Sequence, residues 1–183
     1  MKRAFLALGS NVAPRQKFLA SAIQSLGDLG VVARLSPLYE SRAYGERDQA
    51  DFLNCALIFR TGLTPDDLLS GLKAIEKKLG RKKRYRWGPR EIDIDVIFFE
   101  REMIDRPGLK IPHADYQNRR FVLQPLADIA PDFIAPDSGF SLQTALQKCP
   151  DASPLILISS VIIQPTKHTK DSKKKNGKTT LSG

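Results

Sequence analysis

The chain has 183 residues, 42% of them hydrophobic and 27% charged, the size and balance of one globular domain with a real core, which excludes a disordered or fibrous chain. Its formal charge of +9 suggests a nucleic-acid binder until it is divided: residues 164–183 hold six lysines against one aspartate, five of the nine excess charges. Most of the rest lies between Lys77 and Arg90, which suits a small polyanionic substrate as well as RNA.

Arg3 to Leu8 reads as a buried first strand that turns at Gly9-Ser10-Asn11. The apolar run is too short for the core of a signal peptide, and no stretch approaches the roughly 20 apolar residues of a membrane span. Cys55 and Cys149 are too few for a disulfide framework or a zinc site and predict thiols in a reducing, cytoplasmic setting. Pro14 opens a helix with Phe18, Leu19, Ala22, Ile23 and Leu26 at helical spacing. Val31 to Tyr39 is a second strand interrupted by Pro37, and Glu40 to Ala50 a polar loop with no periodicity, the type that serves as a lid or recognition element. Asp51 to Thr61 is the third strand, with Phe52 and Asn54 on one face, an aromatic plate beside an amide. Thr64-Pro65-Asp66-Asp67 starts a helix with a cap, a first-turn proline and acids at the positive end, running to Gly80.

The stretch from Arg81 to Phe99 carries the chemistry. Arg81-Lys82-Lys83-Arg84-Tyr85-Arg86-Trp87-Gly88-Pro89-Arg90 is a basic loop, and from Ile92 a strand alternates apolar and acidic residues. Period two puts Asp93 and Asp95 on one face, about 7 Å apart at the Cβ atoms, close enough to share divalent cations and to repel each other without them. Taken alone, an Asp-x-Asp on a strand is usually a solvated outer face. Here Ile97-Phe98-Phe99 predicts a central strand whose acids look into a cleft, and acids plus basic loop point to Mg²⁺ and phosphate. Beyond it lie a turn over Glu100 to Arg106, a helix from about Tyr116 to Ile129 bent at Pro125, and a short helix over Ser141 to Lys148. This order predicts an α+β ferredoxin-like sandwich, an antiparallel sheet with helices packed on one face and long mobile active-site loops.

Arg86-Trp87-Gly88-Pro89-Arg90-x-Ile92-Asp93-Ile94-Asp95, with Leu8-Gly9-Ser10-Asn11, Phe52-Leu53-Asn54, Ile111-Pro112-His113 and Asn118-Arg119-Arg120-Phe121 in order around it, resembles the 6-hydroxymethyl-7,8-dihydropterin pyrophosphokinases of the folate pathway. The resemblance implies the same fold and transfer of the β,γ-diphosphoryl group of ATP to the pterin's hydroxymethyl oxygen, with AMP released. It implies two Mg²⁺ ions on Asp93 and Asp95, and Arg81 and Arg90 acting with them in catalysis. ATP contacts are implied for Glu76, Arg81, Lys83, Arg84, Trp87, Arg90, Ile94, His113 and Arg119. Pterin contacts are implied for Ser41, Arg42, Tyr44, Phe52, Asn54, Trp87, Asp93 and Phe121, the ring lying between Phe121 and the Phe52–Tyr44 side. Ala114 stands where the family often has tyrosine, Lys83 where it commonly has arginine, and Arg42-Ala43-Tyr44 replaces a proline-rich stretch.

The resemblance ends near residue 153, so residues 1–153 are read as the pterin pyrophosphokinase domain and 154–183 as an apolar segment, Leu155 to Ile163, followed by a solvated, disordered lysine-rich extension. The apolar run is expected to add an edge strand or pack on the sheet. The partners implied are ATP and the pterin, with no membrane, no specific nucleic acid and a monomeric state. The alternatives are a ferredoxin-like RNA-binding module, which would place aromatics and not acids on its central strands, and another Mg-dependent phosphoryl or nucleotidyl transferase.

Overall fold

The computed structural model describes residues 1–45, 48–85 and 87–159. Glu46, Arg47, Arg86, Ser160, Val161-Ile162-Ile163 and the lysine-rich stretch from Gln164 to Gly183 lie outside the described residues. Chain order is β1 (Lys2–Ser10), α1 (Arg15–Ser25), β2 (Val31–Leu35), β3 (Leu38–Ser41), β4 (Phe52–Thr61), α2 (Pro65–Lys78), β5 (Asp93–Phe99), β6 (Ile104–Arg106), β7 (Leu109–Ile111), α3 (Arg120–Ile129), α4 (Leu142–Lys148) and β8 (Leu155–Ser159).

Among the described residues the main sheet has six strands in the order β5-β1-β4-β3-β8, with β2 also paired to β4, and every pairing is antiparallel. Pro37 divides the expected second strand into β2 and β3. Ser36 carries the ladder across that break, its N–H donating to Ala56 O and its Oγ accepting from Ala56 N–H, both at 2.9 Å. The apolar run after Pro154 supplies β8, which adds to β3 as an edge strand. Ile156 and Leu157, each 57% exposed, stand out from it.

Both faces of the sheet are covered, which explains why β1 is apolar without a break from Ala4 to Leu8. Ala4, Leu6 and Leu8 pack with Leu19 and Ile23 of α1 and Leu68 and Leu72 of α2. Phe5 points the other way, toward Leu123 and Leu126 of α3 and Leu142 of α4. Helices on one face alone were expected; α3 and α4 take the second because Val122, Leu123, Leu126 and Ile129 give α3 its own apolar stripe. Each large side chain buried this way contributes about 1.5–3 kcal/mol.

The acidic strand corrects a second expectation: β5 is at the sheet's edge, not its centre. It is nonetheless buried on both faces, and Ile104, Leu109 and Ile111 of the β6–β7 hairpin join the core beside it. A bulge against β1 between Phe5 and Leu6 lets Ile97 and Phe98 both join the α3 side, while Ile94, Val96 and Phe99 pack beneath α2. The edge matters for the site, because an edge strand keeps backbone donors that no neighbouring strand takes up.

Candidate active site

Asp93 pairs with Gly9 of β1, Gly9 with Asn54 of β4, and Asn54 with Tyr39 of β3, while Asp95 pairs with Ala7 and Ala7 with Ala56. Small residues on β1 thus separate acids on one side from an amide on the other, and a cavity of about 340 Å³ opens over them. A Cβ on Gly9 would lie 3.1 Å from Asn54 Oδ1 and 3.5 Å from Phe52 Cδ1, so glycine keeps this floor flat. The structure brings Ser41, Arg42, Tyr44, Phe52, Asn54 and Phe121 together with Trp87, Arg90, Asp93, Asp95, His113 and Arg119 around this cavity, aromatic rings and an amide in the first group, most of the charge in the second.

On the ring side, Asn54 Nδ2 donates to Ser41 Oγ at 2.9 Å, which fixes the amide's orientation. Tyr44 and Phe121 have ring centroids 5.8 Å apart at an interplanar angle of 54°, and the Arg119 guanidinium sits 5.4 Å from the Tyr44 ring. A flat ring inserted between two others needs about 7 Å. Tyr44 therefore packs on Phe121 itself, and the open slot is bounded by Phe52, Asn54 and Phe121.

On the charged side, Arg81 forms ion pairs with Asp93 at 2.7 Å and Glu76 at 2.5 Å, and Arg90 is paired with Asp93 as well. Burial works to raise the Asp93 pKa, but Arg90 and Arg81 outweigh it and hold the carboxyl below its usual range. No arginine or lysine bonds Asp95 among the described residues, and burial followed by repulsion from Asp93 pushes its pKa up to about 6. Lys73, Arg119 and Arg90 act on Asp95 from a distance, but burial and Asp93 outweigh them. His113 is held beside β5 by its N–H donating to Ile97 O at 3.0 Å, and its Nδ1 accepts from the Asp115 N–H at 3.2 Å. Burial and then Arg119 lower its pKa. A neutral imidazole that accepts at Nδ1 carries its proton on Nε2, leaving one donor for a ligand.

Glu76, Arg81, Lys83 and Arg84 line a second cavity of about 400 Å³, which shares Gly88 and Arg90 with the first. Glu76 is 2% exposed and Oε1 accepts the Ile94 N–H at 2.8 Å, capping the open edge of β5 from α2 while Oε2 holds Arg81. Ile94 itself does not reach either cavity. Its side chain is fully buried beneath α2, because a residue between two acids on a strand must point to the opposite face. Arg84 is turned onto Glu91 and the Pro89 carbonyl.

Two further residues hold the loops of this site in place. Asn11 Nδ2 donates to Gln49 Oε1 and to Ala50 O, both at 3.0 Å, and its Oδ1 accepts the Arg90 N–H at 2.7 Å. Glu91 is 6% exposed and grips the basic loop. Asn11 ends the Leu8-Gly9-Ser10-Asn11 motif, which does not reveal its tie to Arg90, and the only sequence signal for Glu91 is its position between the loop and the acidic strand.

Fold and cleft together define an α+β protein that handles phosphate, with a carboxylate pair and arginines beside a slot for a flat ring. A family model for 7,8-dihydro-6-hydroxymethylpterin-pyrophosphokinase (HPPK) matches residues 5–131, and the chain belongs to this family. A Pseudomonas aeruginosa protein named 2-amino-4-hydroxy-6-hydroxymethyldihydropteridine pyrophosphokinase is 45% identical over 153 residues, 82% of this chain and 93% of that one. An Aquifex aeolicus protein of the same name is 42% identical over 136 residues, 74% of this chain and 85% of that one. Among solved structures, wild-type Plasmodium falciparum HPPK-DHPS with pterin and p-hydroxybenzoate superposes with a TM-score of 0.66 at 17% identity, a likeness of fold. That match covers 80% of this chain but 41% of the Plasmodium chain.

Proposed function

We infer that the protein is a pyrophosphokinase that moves the β,γ-diphosphoryl group of ATP onto the hydroxymethyl oxygen of 6-hydroxymethyl-7,8-dihydropterin and releases AMP. The observation that carries this reading is the single cavity in which Asp93, Asp95 and Arg90 face Phe52, Asn54 and Phe121, phosphate chemistry beside a flat-ring slot. An RNA-binding sheet is not favoured, since a fixed pair of carboxylates on the ligand face repels phosphate.

The hydroxymethyl oxygen attacks the β-phosphorus while the bond to the α-phosphate oxygen breaks, so the chain's work is alignment and neutralisation of charge. Arg81 and Arg90, bonded to Asp93, have planar forks that suit triphosphate oxygens equally well. His113 donates from Nε2, and Arg119 adds charge on the same side. Asn54 reads the edge of the pterin and Phe121 covers its face.

Two Mg²⁺ ions are assigned to Asp93 and Asp95. The donor set fits: both ligands are hard carboxylates, and Asp95, raised to about 6 beside Asp93, gains most from added positive charge. No group of three or more His, Cys, Asp or Glu among the described residues is placed to hold a metal alone, as expected of an ion that completes its shell with water and substrate phosphate. When bound, magnesium neutralises the triphosphate and polarises its oxygens.

We place the catalytic unit in residues 1–153 of a single copy, because every residue given a role precedes Val122. Cys55 and Cys149 are free thiols, which suits the cytoplasm. Among the described residues no helix is long and apolar enough to cross a membrane. The test is incubation with ATP, Mg²⁺ and 6-hydroxymethyl-7,8-dihydropterin: AMP formed only with the pterin is expected, and ADP would mean simple phosphoryl transfer and overturn the reading.

A further inference from the structure

In the basic loop Arg81 and Arg90 pair with Asp93, whereas Arg84 turns to a different carboxylate, Glu91. The Arg84 guanidinium meets the Glu91 carboxylate as a fork, Nη2 to Oε1 at 2.6 Å and Nη1 to Oε2 at 2.9 Å, and Nη1 also donates to Pro89 O at 2.8 Å. Glu91 Oε2 accepts the Lys82 N–H at 3.2 Å. One carboxylate therefore binds the entrance of the loop, at Lys82 and Arg84, to its exit. Glu91 is 6% exposed and is followed by Ile92, fully buried in the core beneath α2, so the grip is anchored on fixed backbone. Between the two ends the loop must hold Trp87 at φ 64°, a left-handed backbone that costs a non-glycine residue about 1–2 kcal/mol and persists only when its surroundings impose it. Bidentate, partly desolvated arginine–carboxylate pairs are the strong form of this interaction.

We propose that Glu91 is a positioning residue, and that its clasp on Arg84 closes the base of the basic loop and sets Trp87 and Arg90 for the phosphates. Arg84 is then part of the loop's frame and not a phosphate ligand, which goes beyond the ATP contact that the family resemblance implies for it. The proposal rests on the diphosphoryl-transfer reading for its consequence in catalysis, but the clasp itself can be tested without turnover.

The variants are Glu91→Gln, Arg84→Gln, the double variant and Arg84→Lys, which keeps charge but loses the fork. Trypsin cleavage at Lys82, Lys83 and residue 84, or at the first two where glutamine replaces Arg84, is followed without substrate, and kcat and KM for ATP are measured with the pterin in excess. Cleavage about tenfold faster is expected in both single Gln variants, with kcat/KM for ATP down about tenfold in each, the double variant no worse than either, and Arg84→Lys in between. If Arg84 is instead a phosphate ligand, Arg84→Gln alone raises KM while Glu91→Gln leaves it unchanged or lowers it, and the proposal is overturned. Unchanged trypsin sensitivity overturns it too. Should Glu91→Gln fail to fold, the two Arg84 variants carry the same comparison. Should the wild type fail to use the pterin, the trypsin arm still reports on the clasp.

Discussion

Asn11 and Arg90 are joined twice: the Asn11 N–H donates to Arg90 O at 3.0 Å, and the Arg90 N–H donates to Asn11 Oδ1 at 2.7 Å. The same amide reaches Gln49 and Ala50, and Gln49 Nε2 donates to Trp87 O at 2.8 Å. One buried side chain after β1 thus ties the end of the polar loop between β3 and β4 to the basic loop. Asn11→Ala removes an acceptor from a partly buried N–H and both donors of the amide, a loss of about 1–3 kcal/mol. The expected result is a lower Tm and a kcat/KM reduced about tenfold or more. A variant that keeps wild-type kcat/KM would show that Arg90 is held by other means.

Gly9→Ala tests the floor of the cavity. The added Cβ meets Asn54 Oδ1 at 3.1 Å and Phe52 Cδ1 at 3.5 Å, so Asn54 must shift by a few tenths of an ångström from its bond to Ser41. KM for the pterin is expected to rise about tenfold, with KM for ATP unchanged, because the added Cβ meets only Asn54 and Phe52 although Gly9 pairs with Asp93 as well. Equal changes in both constants in steady-state assays would contradict this division of the cavity.

How far the sequence reaches depends on the range of the interaction. The faces of Asp93 with Asp95, and of Phe52 with Asn54, follow from strand period alone, and both pairs line the cavity as expected. The cap on α2 is equally local: Thr64 accepts from Asp67 N–H, with Pro65 in the first turn. What was not legible depends on pairings distant in the chain. The apolar Ile97-Phe98-Phe99 predicts burial correctly, but it does not reveal that a helix and a hairpin provide that burial while β5 sits at the edge. Nor does composition separate Arg84 from Arg90 in one basic loop; their neighbours Glu91 and Asp93 do.

Asp95→Asn should separate stability from activity. Asp95 is buried beside a carboxylate already satisfied by two arginines, and its raised pKa means that the charged form is disfavoured in the fold. An amide of the same shape removes the repulsion, so metal-free Tm is expected to rise, by about 1 kcal/mol of stability, while turnover falls about 100- to 1,000-fold. Thermal melts in EDTA beside turnover assays with Mg²⁺ measure both. A drop in both together would assign Asp95 to holding the fold.

Tyr39→Phe probes the tie between β3 and α3, the helix that carries Phe121. Tyr39 OH donates to Asp128 Oδ2 at 2.6 Å, and burial first, then Asp128, pushes the phenol up to about 12 from its ordinary 10.0. A raised pKa means that the folded state favours the neutral phenol. Below about pH 10 both folded and unfolded chains are protonated and the full contribution, about 1 kcal/mol for the hydrogen bond, is present. Between about 10 and 12 only the unfolded chain ionises, so the advantage of tyrosine over phenylalanine shrinks as pH rises. Urea midpoints for both proteins at about pH 8, 10 and 11 should therefore converge. A gap that stays constant across that range would mean that the phenol titrates alike in both states, and that the bond to Asp128 does not hold β3 to α3 in solution.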